Sequence, residues 1–249
     1  MNEWVKTLNR LSLPERVRQL PEGVTVSLIY IFFLAGALWN SLGLMQDVMY
    51  PTTPFVLGIA ALAAVWLTYE YSSKLLWTLG VIFIGTWAVE VLGVATTFPF
   101  GSFSYTDQLG WQVLGVSIVV PFIWVLVIAT SDAAVGHFFG RLSCVLTAIF
   151  ATILNFFLEF AASALDLWQW STRFPPISNY ASWFVISLTA VLLLRDNSDR
   201  KILLKLPAHL YIALLLYFSI TFFGVKSGFL RLLSLYQQSP LPHLCVSMR

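Results

Sequence analysis

The sequence predicts an all-α membrane protein, a bundle of about seven transmembrane helices with its N-terminus in the cytoplasm. Three observations carry this. Residues of the Ala, Val, Ile, Leu, Met, Phe, Trp, Tyr and Cys set make up 58% of the 249 residues and charged residues only 10%. A soluble domain has about 45–50% apolar and about 25% charged residues. Mean hydropathy is +0.80. Seven apolar stretches approach the roughly 20 residues that a helix needs to cross a bilayer core about 30 Å thick. This composition excludes disorder, a nucleic-acid binder and an ordinary cytosolic enzyme. The net charge of +2 is too small to argue for an acidic partner.

Residues 1–23 read as a cytoplasmic amphipathic arm, with Trp4, Leu8, Leu11 and Leu13 among Lys6, Arg10, Arg16 and Arg18. The arm is not a signal peptide: its apolar span starts late, is too long for an h-region and has no small-residue cleavage site after it. Residues 24–224 form the membrane domain. Its expected spans are Val24–Leu44, Pro54–Tyr71, Leu75–Thr96, Gln112–Ser131, Leu142–Leu165, Tyr180–Leu194 and Pro207–Gly224. Only Ser72–Lys74 separates the second from the third, so these two form a tight hairpin. The sixth is short. Residues 225–249 form a C-terminal tail. No internal repeat suggests a transporter built from two halves.

Loop charge orients the bundle. With seven spans, ten of the 14 Lys and Arg residues fall on the side of the N-terminus, among them Lys74, Arg141, Arg195, Arg200, Lys201 and Lys205. The other side has Arg173, Lys226, Arg231 and Arg249. The N-terminus is therefore placed inside and the C-terminus outside.

Several chemistries lack their residues. The three histidines, His137, His209 and His243, are scattered, whereas membrane di-iron oxygenases need short-spaced histidine clusters. Cys144 and Cys245 fall on opposite sides of the membrane, so no disulfide joins them. There is no Gly-rich phosphate loop, no Gly-x-Ser-x-Gly elbow and no Asp-rich pair to hold magnesium pyrophosphate. Neither a metal nor another cofactor is expected. The chemistry available is that of carboxylates, aromatic rings and water.

Two carboxylates lie well inside spans, and an ionisable group there is a functional candidate by default. Glu90 precedes Thr96 by six residues and Glu159 precedes Leu165 by six. At a rise of about 1.5 Å per residue, each lies about 9 Å below the outer end of its helix. Both could face one cavity opening outwards; alternatively, each fixes helix packing through a hydrogen bond. Asn155 lies one turn before Glu159 on the same face. It is either a third polar group in that cavity or a packing contact.

The outer ends of these two helices carry Thr96-Thr97-Phe98-Pro99-Phe100-Gly101-Ser102-Phe103-Ser104-Tyr105 and Trp168-Gln169-Trp170, followed by Pro175-Pro176-Ile177-Ser178-Asn179-Tyr180 and Trp183. Taken alone, the aromatics read as an interfacial belt. Their coincidence with two buried carboxylates favours a site. Other charges carry less: Glu70 pairs with Lys74 at i+4, Asp132 and Arg141 are read as loop residues, and Asp47 and Asp107 as solvated. Lys226 sits at the membrane edge without a counter-ion, which argues against a retinal Schiff base.

The stretch Glu90-x-x-Gly93-x-x-Thr96-x-x-Pro99-Phe100-Gly101-x-x-x-Tyr105, followed by Val120-Pro121 and Trp124, resembles the carotenoid biosynthesis hydratases. These include the bisanhydrobacterioruberin hydratases and the 1',2'-hydratases of acyclic ψ-ends. Their second motif is a helical carboxylate, Trp-x-Trp, a Pro-x-x-Asn turn and a Trp. It is matched by Glu159, Trp168-Gln169-Trp170, Pro176-Ile177-Ser178-Asn179 and Trp183. The resemblance runs from about Trp87 to Leu194. Four positions depart from it. Thr97 stands where Gly is usual, Phe103 where Tyr is, Phe160 where Pro is, and Asn155 where Asp is common.

The resemblance implies hydration of the terminal C1'=C2' double bond of a linear carotenoid to a tertiary alcohol. The residues suit that chemistry. A carboxyl in an apolar pocket holds its proton and can act as an acid. A second carboxylate can hold water and take its proton. Aromatic faces stabilise the intervening tertiary cation. Glu90 and Glu159 are the expected acid/base pair, unassigned between them, with Asn155 and Tyr105 orienting the water or the acid. Pro99, Phe100, Gly101, Trp168, Trp170, Asn179 and Trp183 are the expected substrate-binding residues. The expected partners are a long-chain carotenoid, membrane lipids and other enzymes of the carotenoid pathway, with no nucleic acid. The expected location is the cytoplasmic membrane of a prokaryote. A non-catalytic carotenoid- or lipid-binding protein, a carotenoid end-group cyclase and a small transporter or receptor-like protein remain as alternatives.

Overall fold

A computed structural model describes residues 22–136, 142–197 and 205–226. The expected amphipathic arm up to residue 21, the tail after residue 226, and Arg141, Arg200 and Lys201 lie outside the described residues. Seven helices are present among them: α1 (Glu22–Leu42), α2 (Gln46–Thr68), α3 (Ser73–Thr96), α4 (Val120–Val135), α5 (Leu142–Ala164), α6 (Ile177–Asn197) and α7 (Lys205–Lys226). Six are long and apolar enough to cross a membrane, and α4 is a shorter apolar helix. The chain is an all-α membrane helix bundle.

Helix α4 is the axis. It packs against α2, α3, α5, α6 and α7, and α1 lies outside, against α7. Nearly every residue of α4 is therefore buried, as expected of a helix that is apolar all round. The α1–α7 contact is close: a Cβ on Gly224 would lie 2.1 Å from the Ser41 hydroxyl oxygen. Small residues let membrane helices approach in this way, and hydrogen bonds between side chains add to it. Here the Asn40 amide donates to the Tyr217 hydroxyl at 2.9 Å, and Tyr30 and His209 share a bond of 3.0 Å.

The fourth span differs from expectation. Residues 112–119 are apolar enough to read as helix, but they form a hairpin of β2 (Gln112–Val113) and β3 (Val116–Ser117). Leu114 and Gly115 turn it with φ of 53° and 79°, the positive pair that a two-residue hairpin turn requires. Helix α4 starts only at Val120, with Pro121 in its first turn, where a missing N–H costs nothing. Its 16 residues give a length of about 24 Å.

Other spans also run past their expected ends, among them α2, α6 and α7. Helix α2 begins at Gln46, with Pro51 and Pro54 inside it. The Thr52 and Thr53 hydroxyls bond the Val48 and Met49 carbonyls beside these prolines. Helix α6 starts within the Pro-rich turn, at Ile177, and runs to Asn197. In the tight hairpin between the second and third spans, the Ser72 hydroxyl accepts the Leu75 N–H at 3.0 Å and caps α3.

Asp132 is a correction of a different kind. It lies in the last turns of α4 and is fully buried. Its carboxylate accepts from Arg195 of α6 at 2.7 Å, from Tyr69 at 3.0 Å and from Thr147 of α5 at 3.1 Å. Arg195 also donates to Ser143. The charge sits at the end of an apolar run, so the sequence placed it in a loop. In the fold it ties α4, α5, α6 and the end of α2 together.

A candidate active site beneath an aromatic ladder

The site lies at the opposite end of the bundle from Asp132 and is assembled from two loops. After α3, Thr97 takes a left-handed conformation (φ 65°), and its N–H returns to the Gly93 carbonyl at 2.8 Å. The chain then folds back across the helix end. Gly93 makes room for the Phe100 ring, since a Cβ there would lie 2.7 Å from Phe100 Cδ2. Gly101, at φ +118°, lets the backbone pass Pro176, whose Cγ would lie 2.5 Å from an added Cβ. Ser178 and Ser182 of α6 donate to the Phe100 and Pro99 carbonyls at 3.0 and 3.2 Å.

Two three-residue strands complete the cover. β1 (Phe103–Tyr105) and β4 (Trp168–Trp170) pair antiparallel, with Phe103 opposite Trp170 and Tyr105 opposite Trp168. Alternation along a strand puts every second side chain on one face. Phe103, Tyr105, Trp168 and Trp170 therefore all face the bundle. The rings interlock, with Phe103 and Trp170 centroids 5.1 Å apart and Tyr105 and Trp168 centroids 5.9 Å apart.

Beneath this ladder lie the two carboxylates, 4% and 3% exposed for Glu90 and Glu159. Glu90 Oε1 accepts the Trp124 indole N–H at 2.8 Å, and Oε2 accepts the Tyr105 hydroxyl at 2.9 Å. Glu159 Oε2 accepts the indole N–H groups of Trp168 and Trp170 at 2.8 and 3.0 Å, and Oε1 accepts the Asn179 amide at 2.8 Å. Trp124 also stacks on Trp183, with centroids 3.4 Å apart and planes 10° from parallel. Burial, and then the Glu90 carboxyl beside it, hold the Tyr105 phenol well above its ordinary range, so this group stays protonated.

Both carboxylates line one cavity of about 20 Å³. About 10–15 Å³ suffices for one water that has polar partners. Among the described residues, no group of three His, Cys, Asp or Glu side chains is placed to hold a metal ion.

The fold brings most of the expected site residues to this cavity. Glu90, Glu159, Tyr105, Phe100, Trp168, Trp170, Asn179 and Trp183 line it. Pro99 and Gly101 shape the turn that carries Phe100. Asn155 is fully buried one turn below Glu159 but is absent from the cavity wall. Its amide lies beside the Glu159 carboxyl and makes no hydrogen bond of standard geometry. Of the two readings of Asn155, a group beside Glu159 but off this cavity's wall is the arrangement found. Trp124 and Phe103 were not among the expected site residues, yet both line the cavity. Trp124 could have been found as the lone indole within an otherwise apolar span. Phe103 could have been found from the alternation Phe-Ser-Tyr, which mirrors Trp-Gln-Trp.

The profile of a family described as carotenoid biosynthesis protein matches residues 50–241, more than half of the chain. No curated protein and no solved structure matches the chain.

Proposed function

The chain belongs to the carotenoid biosynthesis protein family, and we propose that it adds water across the terminal C1'=C2' double bond of a linear carotenoid ψ-end. The observation that carries this reading is the pair Glu90 and Glu159, buried on one water-sized cavity under four aromatic side chains. One carboxyl protonates C2'. The tertiary cation left at C1' is held by the aromatic faces. Water confined between the two carboxylates bonds to C1', and its proton passes to the second carboxylate. The π bond and one water O–H bond break as C2'–H and C1'–O form, and the catalytic protons balance without net oxidation or reduction.

The cavity admits water and is too small for the carotenoid end group. The end group therefore enters by parting the ladder, a short pairing of three residues on each strand. We place the protein in the cytoplasmic membrane of a prokaryote, with its substrate dissolved in the same bilayer. The test is expression in a host making lycopene or γ-carotene, with products read by mass. The expected product is heavier than its precursor by one water and is lost in Glu90→Gln and Glu159→Gln. A cyclic product of unchanged mass identifies an end-group cyclase. Co-purifying pigment with no new product identifies a binding protein. Product at the normal level from both variants removes these residues from the chemistry.

A further inference from the structure

We propose that the two carboxylates have fixed and unequal roles: Glu90 gives the proton to the alkene and is recharged through the Tyr105 hydroxyl, while Glu159 is the standing acceptor that holds the water. This assignment rests on the hydration reading above. It follows from the hydrogens that each group is offered. An indole N–H can only donate, and two of them reach Oε2 of Glu159 while the Asn179 amide reaches Oε1. A proton on Glu159 Oε2 would meet two donors already in place, and one on Oε1 is accommodated only when the Asn179 amide turns over, so Glu159 rests as the acceptor and carries a proton only in passing.

Glu90 is held differently. Trp124 occupies Oε1 as a donor, but the partner of Oε2 is a hydroxyl, and a hydroxyl accepts as readily as it donates. Rotating that one O–H reverses the contact. Glu90 Oε2–H then donates to the Tyr105 oxygen, and the tyrosine hydrogen turns elsewhere. Glu90 can thus gain or lose a proton without forfeiting a hydrogen bond. Among the described residues lining the cavity, Tyr105 carries the one hydroxyl. A phenol that resists ionisation passes protons by exchanging them.

The cycle closes without a co-reactant. The O–H bond of Glu90 breaks as C2'–H forms, and the π pair leaves C1' cationic. Water oxygen bonds to C1', and its proton goes to Glu159. That proton returns to Glu90 through the cavity and Tyr105, restoring both groups for one water added.

The experiment uses the full chain in nanodiscs with lycopene in D2O, followed by mass spectrometry of recovered substrate and alcohol. In Glu159→Gln, alcohol falls by about 10²–10⁴-fold, while recovered lycopene still gains deuterium, because reversible protonation survives. In Glu90→Gln both signals are lost, and Glu90→Asp regains part of the deuterium uptake. Tyr105→Phe lowers kcat with KM unchanged and raises the solvent isotope effect on kcat, which loss of packing alone leaves untouched. Deuterium uptake that survives Glu90→Gln and vanishes in Glu159→Gln overturns the assignment. So does a Glu90→Asp variant that regains none, or a Tyr105→Phe variant with unaltered kcat and isotope effect. Absence of both alcohol and deuterium from the unmutated protein overturns the hydration reading itself, and this assignment with it.

Discussion

Tyr105 and Trp168 stand opposite each other across the β1–β4 pairing, and each gives its polar hydrogen to a different buried carboxylate. One register thus fixes both acids at once. Glu90 and Glu159 come from helices α3 and α5, and the cover over both is a single pairing of the loops that follow these helices. Disturbing either strand disturbs the surroundings of both carboxylates.

Removing single donors tests this arrangement. Trp168→Phe keeps an aromatic ring in the ladder and deletes one of the two N–H groups on Glu159 Oε2. A hydrogen bond to a charged group contributes about 1.5–3 kcal/mol, so kcat/KM for alcohol formation is expected to fall by roughly 10- to 150-fold. Trp170→Phe has a similar effect. Because both indoles serve one oxygen, the double variant loses more than the two single losses combined.

Thr97 holds φ 65° at the end of α3, where a β-branched side chain is strained and glycine is not. The resembling hydratases usually have glycine at this position. Thr97→Gly is expected to stabilise the protein by about 1 kcal/mol, read as a higher midpoint in a thermal melt followed by tryptophan fluorescence. Thr97→Ala, which keeps a Cβ, brings a smaller gain.

Gly101 is expected to tolerate no side chain. Gly101→Ala places a Cβ 2.5 Å from Pro176 Cγ at a φ of +118°, so the turn carrying Phe100 must shift. The expected result is loss of alcohol formation together with a lower melting midpoint. Gly58→Ala is the control. Nothing lies within 4 Å of an added Cβ there, so alcohol formation should stay within error of the unmutated protein, and the melting midpoint should hold or rise, since alanine is the better helix former by about 1 kcal/mol.

Asp132→Asn takes the carboxylate charge away from Arg195, whose side chain is 19% exposed while Asp132 is fully buried. Breaking one side of a fully buried ion pair costs about 3–5 kcal/mol; with Arg195 partly exposed the cost falls below that range, and the loss appears as a fall in the melting midpoint. Replacing both partners in Asp132→Leu with Arg195→Met removes the uncompensated charge. The double variant is expected to be more stable than Asp132→Asn alone.

The long helices were legible because each is an apolar run near membrane length with turn residues at its ends. Glu90 and Glu159 were legible because a carboxylate is costly inside such a run. The start of α4 was not. Val113, Leu114, Val116, Ile118 and Val119 continue its hydropathy, and the positive φ values at Leu114 and Gly115 leave no mark on a hydropathy scan. The ladder was missed because its strands have three residues each, and their pairing joins loops that lie far apart in the chain. Asp132 was misplaced for the same reason: its partner, Arg195, is an equally distant residue at the end of another helix.

The short central helix has a consequence for where reactants meet. A helix of about 24 Å inside a layer about 30 Å thick leaves a notch in the bundle, and the hairpin and ladder fill it. In the hydration proposed above, the reacting double bond belongs to a molecule that prefers oil, and the other reactant prefers water. Lowering the roof of the bundle brings the aqueous boundary down to the lipid-borne end group. On that proposal, water would have the short journey to make, one molecule at a time, and the greasy reactant would never leave its solvent.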